Sequence, residues 1–309
     1  MGDPVKSGQG RDIVIGAALG AAAAMMAYAL SLGSLGGMIL YLLIPVPLFL
    51  AGFERGLKAG FAAVGVAFIA STLLLSWMMA ISLSLTLFAP ILALTIAALS
   101  REEGRESRMM LVLVGTAAVH FFLIWSSAPD EAEWQKNIAS MMDAQVTADP
   151  NFADSVKFIY GLITRLGGLL ALMVSGWLLV AGALAAGLAA RSKMPALSRL
   201  WIARVDLPRW FPIVSAILLA ASYVVPEDIA IIATNLLVVQ GVGYVLAGLA
   251  VVHTAFWRGN IGWMGRIAFY GLVFIFGFVW LLVAVLGLVE QWAGLRKRMI
   301  ASRAKADEE

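Results

Sequence analysis

LKAGFAAVGVAFIASTLLLSW, residues 57–77, is the kind of stretch that decides this fold, because Lys58 is its single charged residue. As an α-helix, a segment of this length is roughly 30 Å long, which matches the hydrocarbon core of a bilayer. Comparable apolar blocks recur at 13–32, 36–53, 57–77, 79–99, 109–127, 166–190, 211–225, 229–256 and 267–290. The sequence therefore predicts an all-α, polytopic transmembrane helical bundle, with residues 1–309 forming a single integral membrane domain.

The composition supports the same conclusion. Of 309 residues, 61% are hydrophobic and 13% are charged, against roughly 25% charged in a soluble domain. The mean hydropathy is +0.91, so the chain has too few polar side chains to cover a water-soluble core. We expect the lipid bilayer as partner and no nucleic acid, because the net charge of +3 is explained by basic loops.

Metal and cofactor chemistry is not expected. The chain has no cysteine, which removes disulfides, thiolate ligands and iron–sulfur clusters. Its two histidines, His120 and His253, lie far apart in the sequence, whereas zinc and haem sites usually need imidazole or thiolate ligands. The sequence predicts neither a metal site nor a cofactor.

Charge predicts the orientation of the segments. The loops 100–108 and 191–210 are rich in arginine and should be cytoplasmic by the positive-inside rule. The segment 128–165 between them is a polar, largely acidic excursion, which we place outside as one or two short helices over the bundle. The start of the chain resembles a signal peptide, but further spans follow at once and favour an uncleaved first helix. These features predict a multi-pass protein of the bacterial inner membrane with a cytoplasmic N-terminus.

The number of crossings depends on the end of the chain. The basic tail 297–309, predicted to be flexible, should also be cytoplasmic. Three full crossings after 191–210 would export it, so one of the last three blocks should not span. Block 211–225 is the weakest, since it is short and bounded by Pro212 and Pro226. We predict eight crossings with both termini inside, and nine as the alternative.

Polar side chains at membrane depth are the candidate functional residues, because each is unfavourable there unless it is paired or lines a cavity. One block contains Thr234, Asn235, Gln240, Tyr244 and His253. In one interpretation they form hydrogen bonds that hold helices together. In the other they line a polar pocket that binds a small solute.

Three more residues have two interpretations each. His120 is either a pH-sensitive group or a hydrogen-bonded structural histidine. Arg165, at the outer boundary, either attracts an anionic ligand or extends its guanidinium to the interface. Glu290 is either an interfacial anchor or, if it faces the interior of the bundle, part of a proton relay.

Signatures of soluble enzymes are missing: the sequence has no P-loop, no GxSxG elbow, no HExxH and no dinucleotide-binding glycine pattern. We therefore predict that the protein is not an enzyme and has no ATPase of its own.

Three stretches resemble a known family. They are NLLVVQGVGYVLAGLAVVH at 235–253, LGLVEQWAGLRKR at 286–298 and PVPLFLAGFERGLKAG at 45–60. Together they are similar to the YybS-like predicted bacterial membrane proteins, whose domain has no assigned function. That family looks distantly similar to the substrate-binding S components of energy-coupling-factor transporters.

The resemblance to S components implies a subunit that captures a vitamin-like solute and docks on a transmembrane energy-coupling partner. S components often carry Ala-xxx-Ala on the first helix for this docking, and Ala17-xxx-Ala21 and Ala23-xxx-Ala27 fit that spacing. The chain departs from the pattern by having more segments than S components usually have, and no substrate motif carries over.

Two functions follow from these observations. The first is a small-solute-binding transport subunit that uses Asn235, Gln240, Tyr244, His253 and Arg165. The alternative is a non-transport membrane scaffold or assembly protein, which acts through helix packing and basic cytoplasmic loops.

Overall fold

We describe the fold from a computed structural model of the chain. The structure describes residues 4–100, 104–127, 131–141, 151–190 and 204–308, and within these ranges every regular element is helical. The predicted all-α membrane bundle is confirmed. Most of the basic residues of the 191–210 loop, Arg101, and several acidic residues of the 128–165 excursion lie outside the described residues.

Fifteen α-helices and one π-helix are described, and we number the α-helices in chain order. They are α1 Pro4–Leu30, α2 Leu35–Leu43, α3 Pro45–Arg55, α4 Leu57–Leu74, α5 Trp77–Leu83, the π-helix Ser84–Phe88, α6 Ala89–Leu99, α7 Arg105–Ser127, α8 Glu131–Met141, α9 Phe152–Arg165, α10 Gly167–Ala190, α11 Phe211–Val224, α12 Glu227–Arg258, α13 Trp263–Ile275, α14 Phe278–Ala293 and α15 Leu295–Glu308.

Among the described residues, seven helical segments are long and apolar enough to cross a membrane. They are Gln9–Leu30, Leu35–Arg55, Leu57–Leu74, Trp77–Leu99, Arg105–Ser127, Gly167–Ala189 and Glu227–Arg258. Helices α13 and α14 form an eighth if the bent pair is one span. Helix α11 has 14 residues, about 21 Å of helix, which is too short for the hydrocarbon core. The described residues thus give seven segments, or the predicted eight when the bent pair is counted as one span.

The last apolar block, 267–290, is divided between two helices. Helices α13 and α14 are bent by 110° relative to each other. The helix ends because Phe276 adopts an extended backbone conformation, and Gly277 then precedes α14. Most of the tail 297–309 lies in α15. This segment is rich in alanine, lysine and arginine, which favour helix.

Small residues allow two pairs of helices to approach closely. On α1, a Cβ atom at Gly16 would lie 2.3 Å from the Ala59 carbonyl oxygen, and one at Gly20 would lie 2.1 Å from that of Ala63. On α14, a Cβ atom at Gly287 would lie 1.9 Å from the Tyr244 carbonyl oxygen of α12. Such contacts are typical of helix packing in bilayers, where small residues let backbones meet.

The ends of the helices define two ends of the bundle. At one, which we call the basic end, Arg55 pairs with Asp12 at 3.3 Å, and the Asp206 N–H donates to Ser107 Oγ at 2.9 Å. The described part of the 191–210 loop therefore lies beside the start of α7, at the same end as the 100–108 loop. The opposite end, which we call the cleft end, contains the start of α10 and the two short helices α8 and α9.

Candidate functional site

A cleft of about 250 Å³ opens at the cleft end of the bundle. It lies where the last residue of α9 meets the hairpin of α11 and α12, and Pro226 makes the turn between the two hairpin helices. Seven residues line it: Arg165, Ser222, Glu227, Ala230, Ile231, Thr234 and Asn235. Two residues singled out in the sequence, Arg165 and Asn235, are thus brought to one site although 70 positions separate them.

An ion pair forms one edge of the cleft. Arg165 Nη2 donates to Glu227 Oε1 at 3.0 Å, and the two side chains are 66% and 74% exposed. Glu227 lies in the first turn of α12, where the partial positive charge of the helix N-terminus stabilises a carboxylate. Exposed pairs of this kind contribute about 0–1 kcal/mol, so the two charged groups separate easily.

Asn235 forms the buried wall of the cleft, with 1% of the residue exposed. Its Oδ1 accepts the N–H of Gly168 at 2.6 Å, and its Nδ2 donates to the Ile231 carbonyl oxygen at 2.8 Å. Gly168 lies in the first turn of α10, where backbone N–H groups have no partner within their own helix. Asn235 therefore caps a neighbouring helix, which supports the packing interpretation for this side chain.

Replacing Asn235 with alanine is expected to destabilise the protein by about 1–3 kcal/mol, because the buried Gly168 N–H loses its acceptor. The matched control is Thr234→Val at the adjacent, exposed position, where little change in stability is expected. Unfolding in mixed detergent micelles measures both free energies. Equal stability of the two variants would show that the Asn235 hydrogen bonds contribute nothing.

Gln240 and Tyr244 are not part of the cleft. Ser215 of α11 lies between them, with its Oγ 2.5 Å from Gln240 Oε1 and 2.7 Å from the Tyr244 hydroxyl. Since Ser215 has one hydroxyl hydrogen, it donates to Gln240 and accepts from Tyr244. Phe211 packs edge-on against the Tyr244 ring. This is a second polar group, which joins α11 to α12.

His253 lies further along the same helix. Its Nδ1–H donates to the Leu249 carbonyl oxygen at 2.8 Å, and the Tyr270 hydroxyl is 3.1 Å from its Nε2. Eighteen residues of α-helix separate it from Asn235, about 27 Å. The polar residues predicted as one cluster thus occupy three separate places on α12.

His120 and Glu290 both have protein partners. His120 is buried, and its Nε2–H donates at 2.7 Å to the carbonyl oxygen of Thr86, which lies in the π-helix. This bond supports the structural interpretation. Glu290 is buried and accepts from Arg296 Nε at 2.9 Å, so it forms a buried ion pair.

The alanines predicted to dock a partner divide into two pairs. Ala23 and Ala27 are buried within the chain, whereas Ala17 and Ala21 are partly exposed. Gly16 and Gly20 of α1 also make close backbone contacts, with α4.

Two residues that contact the predicted site residues, Glu227 and Ser215, were not singled out in the sequence. Glu227 follows Pro226 between two apolar blocks, which is a signal for the start of a helix with an acidic first turn. Ser215 lies in the block that we considered weakest, and no sequence signal points to its partners on α12. Among the described residues, no group of three His, Asp or Glu side chains is placed to hold a metal ion.

The apolar spans and the polar groups between them define the class: this is an integral membrane protein with a polytopic helical bundle in contact with lipid. The chain belongs to a family described as "Predicted membrane protein (DUF2232)", whose family model matches residues 20–290. The comparisons with curated proteins and with solved structures gave no match. The predicted membership in a family of membrane proteins of unassigned function is confirmed, while no comparison supports the YybS-like name or a likeness to S components.

Proposed function

We propose that this protein is a small-solute-binding subunit of a membrane transport system, in the bacterial inner membrane, with the cleft as its binding site. In this proposal the cleft end faces outward and the basic end, with both termini, faces the cytoplasm. The arginines and lysines at the basic end support that orientation by the positive-inside rule.

The observation that carries the proposal is the composition of the cleft. A guanidinium, a carboxylate and two hydroxyl groups converge, beside apolar side chains, on a space of about 250 Å³. Ligand sites combine an apolar lining with a few polar groups that fix orientation, and those for drug-sized molecules are roughly 300–1,000 Å³. The smaller volume suits a small solute.

Energy for transport would come from a partner, since the sequence has no nucleotide-binding signature. Ala17 and Ala21 are the partly exposed members of the predicted docking face, and we propose this part of α1 as the contact for a transmembrane energy-coupling subunit. We propose no catalytic activity for the chain.

The scaffold alternative is supported less well. It relies on small-residue helix faces that bind other proteins, but Gly16, Gly20 and Gly287 make their closest contacts within this chain. The scaffold alternative would then rely on the basic end alone as its surface for binding other proteins.

A variant that fills the cleft tests the proposed function. Ala230→Phe places a ring in the cleft, while Ala220→Phe, at an exposed position on α11, is the matched control. We expect native mass spectrometry to find a small molecule retained by the wild type and by Ala220→Phe, and lost from Ala230→Phe. Circular dichroism checks that all three proteins are folded. If the wild type retains no small molecule, or if Ala230→Phe retains it equally well, the proposed function is wrong.

A further inference from the structure

We propose that the ligand of the cleft is a zwitterion, with Arg165 binding its anionic group and Glu227 binding its ammonium group. This inference rests on the proposed function and names the chemical class of the solute.

The first argument is the placement of the two charges. Arg165 ends α9 and Glu227 begins α12, so the charges come from separate helices and meet at 3.0 Å on one edge of the cleft. Because both side chains are mostly exposed, little stability is lost when the pair opens. A zwitterion entering between them replaces one exposed ion pair by two ligand-bound pairs.

The second argument is that a ligand with a single charge is disfavoured. An anion bound to Arg165 would lie beside the carboxylate of Glu227, and a cation bound to Glu227 would lie beside the guanidinium of Arg165. In each case the repulsion from the second residue opposes the attraction to the first. Only a ligand with both charges satisfies both residues.

The third argument concerns the hydroxyl groups. Thr234 donates its hydroxyl hydrogen to the Ala230 carbonyl oxygen at 2.8 Å, and Ser222 donates to that of Leu219 at 2.7 Å. With their hydrogens in use, both hydroxyl oxygens are left as acceptors among the residues that line the cleft. An ammonium group has three N–H donors, so one that pairs with Glu227 still has hydrogens to donate to an acceptor of this kind.

The same chemistry is present in a free amino acid and in the headgroup of phosphatidylethanolamine, and the experiment separates the two sources. Full-length protein is placed in nanodiscs of phosphatidylglycerol, whose headgroup has no ammonium. Binding of L-alanine and of 4-aminobutyrate is measured by isothermal titration calorimetry, with acetate and ethylamine as single-charge controls. In a second arm, phosphatidylethanolamine is added to the nanodiscs, and retained lipid is measured by mass spectrometry.

We expect a zwitterion, free or as headgroup, to bind more tightly than either single-charge control. Arg165→Gln and Glu227→Gln should each weaken that binding by roughly tenfold to a hundredfold, since each removes a charge-assisted bond. Arg258→Gln, at an exposed position at the other end of α12, should leave it unchanged. The double variant Arg165→Glu/Glu227→Arg keeps an ion pair with its direction reversed, and should recover binding of the same zwitterion in the opposite orientation.

The outcomes separate this inference from the proposed function. If Ala230→Phe abolishes retention of a small molecule that neither charge variant affects, the zwitterion proposal is wrong and the proposed function stands. If acetate or ethylamine binds as tightly as the zwitterions, the zwitterion proposal is likewise wrong and the proposed function stands. If no probe or lipid binds and Ala230→Phe changes nothing, both proposals are wrong.

Discussion

Gly248→Ala is expected to destabilise the bundle by about 1–3 kcal/mol, the range for an overpacked interior. A Cβ atom at this position would lie 1.9 Å from the carbonyl oxygen of Val283 on α14. The obstacle is backbone rather than a flexible side chain, so α12 and α14 must move apart to admit one methyl group. Gly287→Ala, which meets the Tyr244 carbonyl oxygen from the other side of the contact, should have an effect of the same size.

The control for this prediction lies on the same helix. Gly241 has nothing within 4 Å of its added Cβ atom, and Gly241→Ala should be neutral or stabilising by up to about 1 kcal/mol through helix propensity. Unfolding of the three variants in mixed detergent micelles gives the comparison. If Gly248→Ala and Gly241→Ala are equally stable, α12 and α14 do not pack as closely as the structure has them.

The spans could be predicted from the sequence because their cause is local. A segment such as 57–77 is apolar enough and long enough to cross a bilayer whatever its neighbours are. The weakness of block 211–225 was also visible, since its length falls below the thickness of the hydrocarbon core. The 110° bend between α13 and α14 was not predicted, because a single glycine in an apolar run does not by itself end a transmembrane helix.

The candidate site was predicted only in part, for a different reason. Asn235 stood out as a polar group at membrane depth and Arg165 as a cation at the outer boundary, and the structure brings both to the cleft. The partner of Arg165 could not be predicted, because Glu227 lies 62 positions away and its proximity depends on how α9 meets the α11–α12 hairpin. The division of the polar residues of α12 into separate groups likewise depends on which helix faces each residue. Gln240 and Tyr244, for example, face Ser215 of α11.

Arg296→Met is expected to destabilise the protein by about 3–5 kcal/mol, because it leaves the carboxylate of Glu290 buried without its cation. The side chains of Glu290 and Arg296 are only 5% and 10% exposed, and Arg296 Nε lies 2.9 Å from Glu290 Oε1. Arg296 also pairs with the exposed carboxylate of Asp206. It therefore connects the start of α15 to the end of α14 and to the segment that precedes α11.

A double variant distinguishes the loss of the pair from the loss of packing. Glu290→Met combined with Arg296→Met removes both charges and keeps side chains of similar length, so most of the lost stability should return. The exposed pair of Arg55 and Asp12 is the control, and Arg55→Met should cost less than about 1 kcal/mol. If the double variant is as unstable as Arg296→Met alone, the arginine stabilises the fold through its contacts with Asp206 and its aliphatic stem. If the double variant recovers stability, the loss in Arg296→Met comes from the unpaired buried charge of Glu290. Helix α15 is then held by an ion pair, at a site that the surrounding apolar sequence does not reveal.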